Sequence, residues 1–456
     1  MFNFKIKKNI FLKSILITQG ATEKKISLPI LSNLLIESIN LNNLNKENLY
    51  SDNKNNGLIK ISATDLEITI KDYCDAEIIS EGKITLNAKK LYSIIKEFPD
   101  DITNKDNNNN IENKNENEDI DIEIKETEAG LVIISYKKII FKLTTIPVID
   151  YPTLLDINTE DNFNVNLKFL KFIINKVIFS TALEETKKNL SGVYFILLEI
   201  EGESYLRLVA TDGHRLSLAQ IKLFNNKENE TAEVNKESLE QVSLIYDKFK
   251  EGVIIPRKIL SELIKIDPNK DVFVNISINS NNVIFKLNDG INNKNNINSL
   301  YGTTFISRLI DGKYPNYETI LPKNNYKTAI IKTEELIDSI KRVYILAEEK
   351  SHSIELSFDK NLLIIKTVQT SQGEAVDEIE IEYIGEPINI KLNSKYILDF
   401  ISNIYDEKII LKFNTIFTPL IIKPLIEDNN KKKLKSSIDL NTFDYQLTGV
   451  FMPMRY

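Results

Sequence analysis

The chain has 456 residues, 42% of them hydrophobic, with 65 acidic against 58 basic side chains and a net charge of −7. That length suggests about three domains at roughly 150 residues each, and the apolar share is enough for packed cores, which excludes a largely disordered protein. The one cysteine, Cys74, excludes an intramolecular disulfide and a cysteine-built zinc site and makes a reduced cytoplasm the simplest compartment, while no apolar run reaches the ~18 residues of a membrane span. Charges interrupt the start of the chain, Met1 to Lys8, unlike a signal peptide. The acidic balance alone argues against nucleic acid, because phosphate contacts need Lys and Arg, yet binding depends on where charges lie rather than on their sum.

Residues 2–6 alternate and predict a strand; Ile10, Phe11, Ser14, Ile15 and Ile17 then form a helical stripe, with Lys7, Lys8 and Lys13 off it and Gly20 at its end. Strands are expected over 31–39 and 57–72. A second helix runs over 88–98, with Leu91, Ile94, Ile95 and Phe98 on one face, Lys89, Lys90 and Lys96 elsewhere, and Pro99 as its stop. Strands follow over 120–124, 131–136 and 139–145. The stretches 42–56 and 101–119 read as polar insertions; the second, almost wholly Asn, Asp, Glu and Lys, cannot bury enough apolar area to offset chain entropy and reads as a disordered surface loop.

The middle of the chain repeats this plan. A strand over 163–167 leads to a helix striped by Phe169, Leu170, Ile173, Ile174, Val177 and Ile178, with Lys168, Lys171 and Lys176 around it. Strands over 192–200 and 205–223, a polar insertion over 225–250, a helix opened by Pro256 and strands over 272–278, 283–287 and 303–310 follow. The last part does so again: helices over 333–348 and 394–405, strands over 354–358, 362–367, 375–383, 408–413 and 420–424, a basic linker at Lys431-Lys432-Lys433, and a final strand over 445–452. One plan recurs three times, and Ala63-Thr64-Asp65 and Ala210-Thr211-Asp212 hold the same slot in the first two copies, which marks repeated domains with helices layered on sheets.

Within the middle copy, Asp212-Gly213 separates two alternating runs and predicts a tight hairpin, because Gly accepts positive φ without steric cost. His214, one of two histidines in the chain, follows it. An acid–base pair of Asp212 and His214 in a repeat-built enzyme is one reading, but no nucleophile motif accompanies them.

The segment Ala210-Thr211-Asp212-Gly213-His214-Arg215-Leu216 resembles the middle-domain signature of the bacterial DNA polymerase III β subunit, the sliding clamp. The chain end, Val450-Phe451-Met452-Pro453-Met454-Arg455-Tyr456, resembles that family's carboxy-terminal tail. Further segments stand in the family's order: Leu28 to Leu35, Ala63 to Glu67, Pro256-Arg257-Lys258, Asp311 to Tyr317, and Asn393 to Asp399. The resemblance implies an α+β fold of three repeated clamp domains, over 1–155, 160–323 and 326–456, each with paired helices packed on antiparallel sheets, closing into a ring as a head-to-tail homodimer. It implies a processivity factor with no catalytic residue, metal or cofactor. Such a ring encircles double-stranded DNA, tethers the DNA polymerase III alpha subunit, and receives the clamp loader and other replication and repair proteins.

By matched motif, the resemblance implies a partner-peptide pocket of Leu190, Thr211, Gly213, His214, Arg215, Leu216, Pro315, Ile320, Tyr396, Val450, Met452, Pro453, Met454 and Arg455, with Phe417 and Pro419 less closely matched. Met and Leu suit an adaptable apolar socket, and Arg and His polar handles at its rim. It implies DNA contacts from Lys25, Lys89, Lys187, Lys188 and Asn189, with acidic Glu184 standing where the family has a neutral polar residue, and a dimer contact of Phe141 and Leu143 against Ile345 and Leu346 of the second chain. A monomeric adaptor of the same fold that never closes is the remaining alternative.

Overall fold

The computed structural model describes residues 1–23, 28–39, 56–99, 121–154, 163–184, 186–222, 249–266, 272–279, 281–289, 302–321, 327–368, 373–425 and 445–454. Most of the polar insertions, Lys431-Lys432-Lys433, and the predicted site residues Lys25 and Arg455 lie outside them. The apolar stripes become helices α1 (Lys8–Thr18), α2 (Ala88–Glu97), α3 (Leu167–Asn175), α4 (Arg257–Leu263), α5 (Thr333–Tyr344) and α6 (Ser394–Ile401). Asparagine opens three of them: the side chains of Asn87, Asn166 and Asn393 accept from the amides of Lys90, Lys168 and Tyr396, which satisfies donors that a helix start leaves free. Pro256 precedes α4 as its cap rather than lying in its first turn.

The described chain divides into two compact units, residues 1–162 with 265–308, and 163–264 with 309–456. In the first, the strand Ile68–Ser80 is central. Its beginning lies between the strands Asn56–Thr64 and Thr304–Arg308, Ile70 facing Ala63 on one side and Phe305 on the other, and its end pairs with Asn3–Lys7. Strands Asn282–Asp289 and Val272–Ile278 extend the sheet beyond Thr304–Arg308, and Ile139–Thr144 is an edge reached through Asp121–Glu126 and Leu131–Tyr136. Helices α1 and α2 pack on each other and α1 on the central strand, burying Phe11, Ile15, Leu91 and Ile95.

The second unit holds two sheets. Strands Val253–Pro256, Gly192–Ile200, Glu203–Thr211 and Arg215–Lys222 continue into Tyr445–Phe451, Leu420–Pro424, Lys408–Phe413, Lys327–Lys332 and Glu382–Ile384 as one sheet. A second sheet runs Val376–Glu380, Leu362–Thr367, Ser353–Asp359, Ile388–Asn393, and α5 packs between its edge and α6.

Three more expectations need correction. The predicted single strand over 57–72 is two strands with a turn at residues 65–67, because Asp65 turns the chain by binding backbone amides. The strand expected from residue 31 starts at Asn33, after a 3-10 turn over Pro29–Ser32. Lys8 and Lys176, read as lying off the apolar stripes, are 4% and 1% exposed; their ammonium groups donate to the carbonyls of Phe98 and Asn403, on segments distant in sequence.

The repeat holds at the level of single hydrogen bonds. Thr211 Oγ1 donates to the Arg215 carbonyl and accepts from the Gly213 amide, and Asp212 Oδ1 accepts from the amides of His214 and Arg215. Thr64 and Asp65 make the same four bonds with residues 66–68. The left-handed position is Gly213 at φ 92° in one turn and Leu66 at φ 77° in the other. The strand after each turn also pairs alike: the Met452 amide donates to the His214 carbonyl, and the Arg308 amide to the Glu67 carbonyl.

Candidate functional site

The 211–215 turn sits beside an apolar cluster in the second unit. Val209, Leu216, Leu218, Ile254, Tyr314, Tyr317 and Val450 form its buried floor, and Leu190, Tyr194, Ile310, Ile320 and Leu321 pack against it half-buried. The antiparallel register explains the gathering: Leu216 lies opposite Thr211 and Val450, and Arg215 opposite Phe451, so the hairpin and the last strand present one face. Tyr194 and Tyr314 stack with ring centroids 4.7 Å apart and planes 5° from parallel. The Tyr314 hydroxyl donates to the Val209 carbonyl, and burial pushes its ionisation well above the usual tyrosine range.

The structure thus brings Leu190, Leu216, Ile320 and Val450 into one cluster and sets Thr211, Gly213 and His214 on its edge. Pro315 is exposed on the 311–316 turn. The tail runs on from the last strand: Met452 is 39% exposed, and the Met454 amide donates to the Lys391 carbonyl at 2.8 Å, with Pro453 half-buried between them. Phe417 is 73% exposed in the loop after Phe413, with Pro419 half-buried.

Arg215 differs from the rim handle that its sequence context suggested. It is 9% exposed, with Nε 3.1 Å from Asp212 Oδ2, Nη1 2.6 Å from Asp399 Oδ2 and Nη2 2.5 Å from the Phe179 carbonyl. Its guanidinium lies 4.3 Å from the Tyr396 ring centroid. Asp212 is therefore committed on both oxygens, to two backbone amides and to Arg215, so its carboxylate does not orient the His214 imidazole as a catalytic dyad requires.

The lysine-bearing loop is fixed to the same region. Lys187 Nζ donates to the Asp212 carbonyl at 3.2 Å and lies 3.8 Å from the Glu184 carboxylate, while Asn189 Nδ2 donates to the Lys313 carbonyl. Lys188 and, in the first unit, Lys89 on α2 are exposed. Phe141, 36% exposed, packs edge-on against Phe98 on the edge strand Ile139–Thr144, with Leu143 half-buried; Ile345 is 75% exposed just past α5, with Leu346 half-buried.

Sequence reasoning missed Tyr194, Val209, Leu218 and Ile254 as members of the cluster, and Asp399 and Phe179 as partners of Arg215. Tyr314 and Tyr317 lay in a quoted motif without a role. Their alternating or aromatic pattern marked them only as core, since the contacts that bring Tyr314 and Tyr317 onto Tyr194 and Val209 join segments far apart in the chain.

Comparison with known proteins gives these features a class. The chain matches the family models of the DNA polymerase III beta subunit N-terminal domain at residues 2–155, central domain at 164–247 and C-terminal domain at 318–436. It is a molecule of three clamp domains, sheet-rich with paired helices. Among curated relatives, a beta sliding clamp of Pseudomonas aeruginosa is 27% identical over 454 residues, covering 99% of this chain and 100% of that one, and one of Rickettsia bellii is 27% identical over 380 residues, covering 80% and 85%. A crystal structure of a sliding clamp from Bartonella birtlesii bound to griselimycin superposes with a TM-score of 0.75 at 25% identity, over 100% of both chains. The chain belongs to the DNA polymerase III beta subunit family, the beta sliding clamps.

Proposed function

We propose that the protein is a non-catalytic processivity factor, acting in the cytoplasm, that encircles duplex DNA as a head-to-tail homodimer and tethers the replicative polymerase to it. The observation that carries this reading is the ordered match to all three clamp domains within one chain. The domain boundaries we adopt are 1–155, 160–323 and 326–456.

Two edges support closure by a second copy. Ile139–Thr144 ends one sheet with Ile139, Ile140 and Phe141 exposed and Lys142 beside them, and Val376–Glu380 ends another with exposed Val376 and acidic Glu378 and Glu380. Among the described residues each of these edges has no strand on its outer side; such edges recruit a strand from another chain, and these two have complementary charge. The patch of Phe141 and Leu143 would meet Ile345 and Leu346 of the second copy. DNA contacts from Lys25, Lys89, Lys187, Lys188 and Asn189 would be made to phosphates, without reading bases.

Partner proteins, including the polymerase alpha subunit and the clamp loader, would dock short peptides on the apolar cluster, with Gly213, His214, Pro315, Tyr396, Met452, Pro453, Met454 and Arg455 at its margin. Deleting residues 452–456 tests this. The truncated protein should lose at least about tenfold in affinity for a peptide copying the polymerase tail, because a few anchors dominate a small site, while its dimer mass is unchanged. Equal affinity in the truncated and full chains would exclude the tail from the pocket.

A further inference from the structure

Three charged side chains beside the proposed pocket are joined by ion pairs, Asp212 in the hairpin turn, Arg215 at the start of the next strand and Asp399 in α6, and the charge of Arg257 at the start of α4 acts on two of them. Arg215 ties three separate segments together, through Asp212, the Phe179 carbonyl and Asp399, and all three donor nitrogens of its guanidinium are in use. Arg257 is anchored alongside, its Nη1 3.3 Å from Thr181 Oγ1 and its amide on the Ser191 carbonyl. Burial first, and the neighbouring Arg215 charge second, weaken the hold of Arg257 on its proton, while Asp399 strengthens it. Both carboxylates pair with Arg215, and Asp399, which also acts on Arg257, reaches the cluster from α6, far along the chain.

We infer that Asp399 is a positioning residue for the peptide site: by its ion pair with Arg215 it latches α6, with Tyr396, against the 211–215 turn and so fixes the pocket's wall. This rests on the docking site proposed above. Without the Asp399 charge, Arg215 keeps Asp212 as its carboxylate partner while the Arg257 charge still opposes its own, with nothing on α6 to offset it. The turn should then loosen on the side that carries Gly213 and His214, and Tyr396 should lose the guanidinium stacked on it.

The test is electrostatic compensation in the full-length protein. Asp399→Asn should weaken binding of a fluorescent peptide copying the polymerase tail by about tenfold, as charge-assisted hydrogen bonds are about twice as strong as neutral ones and a cation is left uncompensated. Adding Arg257→Gln to it should restore binding to within about threefold by removing the excess cation. Asp399→Glu, which keeps the charge, should stay near wild type and serves where Asp399→Asn folds poorly. Hydrogen exchange at the His214 and Arg215 amides should speed up in Asp399→Asn and recover in the double variant, a readout that needs no peptide. Normal exchange and normal affinity in Asp399→Asn, or no recovery on neutralising Arg257, would overturn the latch. Wild-type protein that fails to bind the peptide at all would instead sink the docking reading, with the exchange experiment still deciding whether Asp399 orders the turn.

Discussion

An ammonium group as buried as that of Lys176 has lost most of its hydration, and burial lowers its pKa to about 7, with Asp406 opposing the shift. The rings of Phe172 and Tyr405, 4.4 and 4.0 Å from Nζ, favour the charged form, but desolvation dominates. Asp406, itself raised by burial, accepts from the Tyr445 hydroxyl, whose own ionisation burial pushes up, so three titratable groups from α3's end, the loop after α6 and the last strand face one another. Between pH 7 and the ordinary lysine value near 10.5 the unfolded chain holds a proton that folded Lys176 has released, so stability should rise with pH across that window. Asp406 acts oppositely, its raised pKa making stability fall as pH climbs from the ordinary aspartate value through its folded one, and Tyr445 does the same above pH 10. Urea melts from pH 7 to 9.5 should show the rise in wild type and a flatter line in Lys176→Met. Identical slopes would mean that Lys176 stays protonated in the fold.

At the scale of elements, the two Thr-Asp turns are a controlled comparison, since they share four hydrogen bonds and differ at the left-handed residue. A Cβ at Gly213 would meet only the Lys187 ammonium, at 3.9 Å, so the cost of Gly213→Ala is backbone strain, about 1–2 kcal/mol. Leu66 already bears that strain with its side chain 49% exposed, so Leu66→Gly should cost nothing or stabilise by up to about 1 kcal/mol. Chemical denaturation of both variants checks the pair; a destabilising Leu66→Gly would show that the leucine side chain, not the turn, holds that position. The comparison also marks what the sequence made legible. Asp212-Gly213 announces its turn because glycine is turn chemistry, while Asp65-Leu66 hides an identical turn behind a leucine that reads as strand. Helix stripes such as Leu91, Ile95 and Leu336, Ile340 were readable from periodicity alone. Burial of Lys8, Lys176 and Arg215 was not, since the segments that cover them arrive from distant parts of the chain. The Leu190, Leu216, Ile320 and Val450 grouping came from family resemblance, and the stacked Tyr194 and Tyr314 from neither source.

For the whole molecule, with its net charge of −7, the proposed enclosure holds DNA without needing tight contacts to it. Phosphate contacts from a few lysines are individually weak and salt-sensitive, whereas a closed ring leaves a circle only by opening. The protein should be loaded by the clamp loader onto nicked circular DNA and passed through a sizing column in high salt, before and after the circle is cut. Ile345→Lys with Leu346→Lys, which puts unpaired charge into the proposed dimer contact, should give single 52.4 kDa chains and supply the open control. Wild type should co-elute with the circle, leave after linearisation, and bind linear DNA feebly without the loader, while the open control stays on neither. Equal loss of wild type from circle and line would contradict enclosure of DNA by this chain.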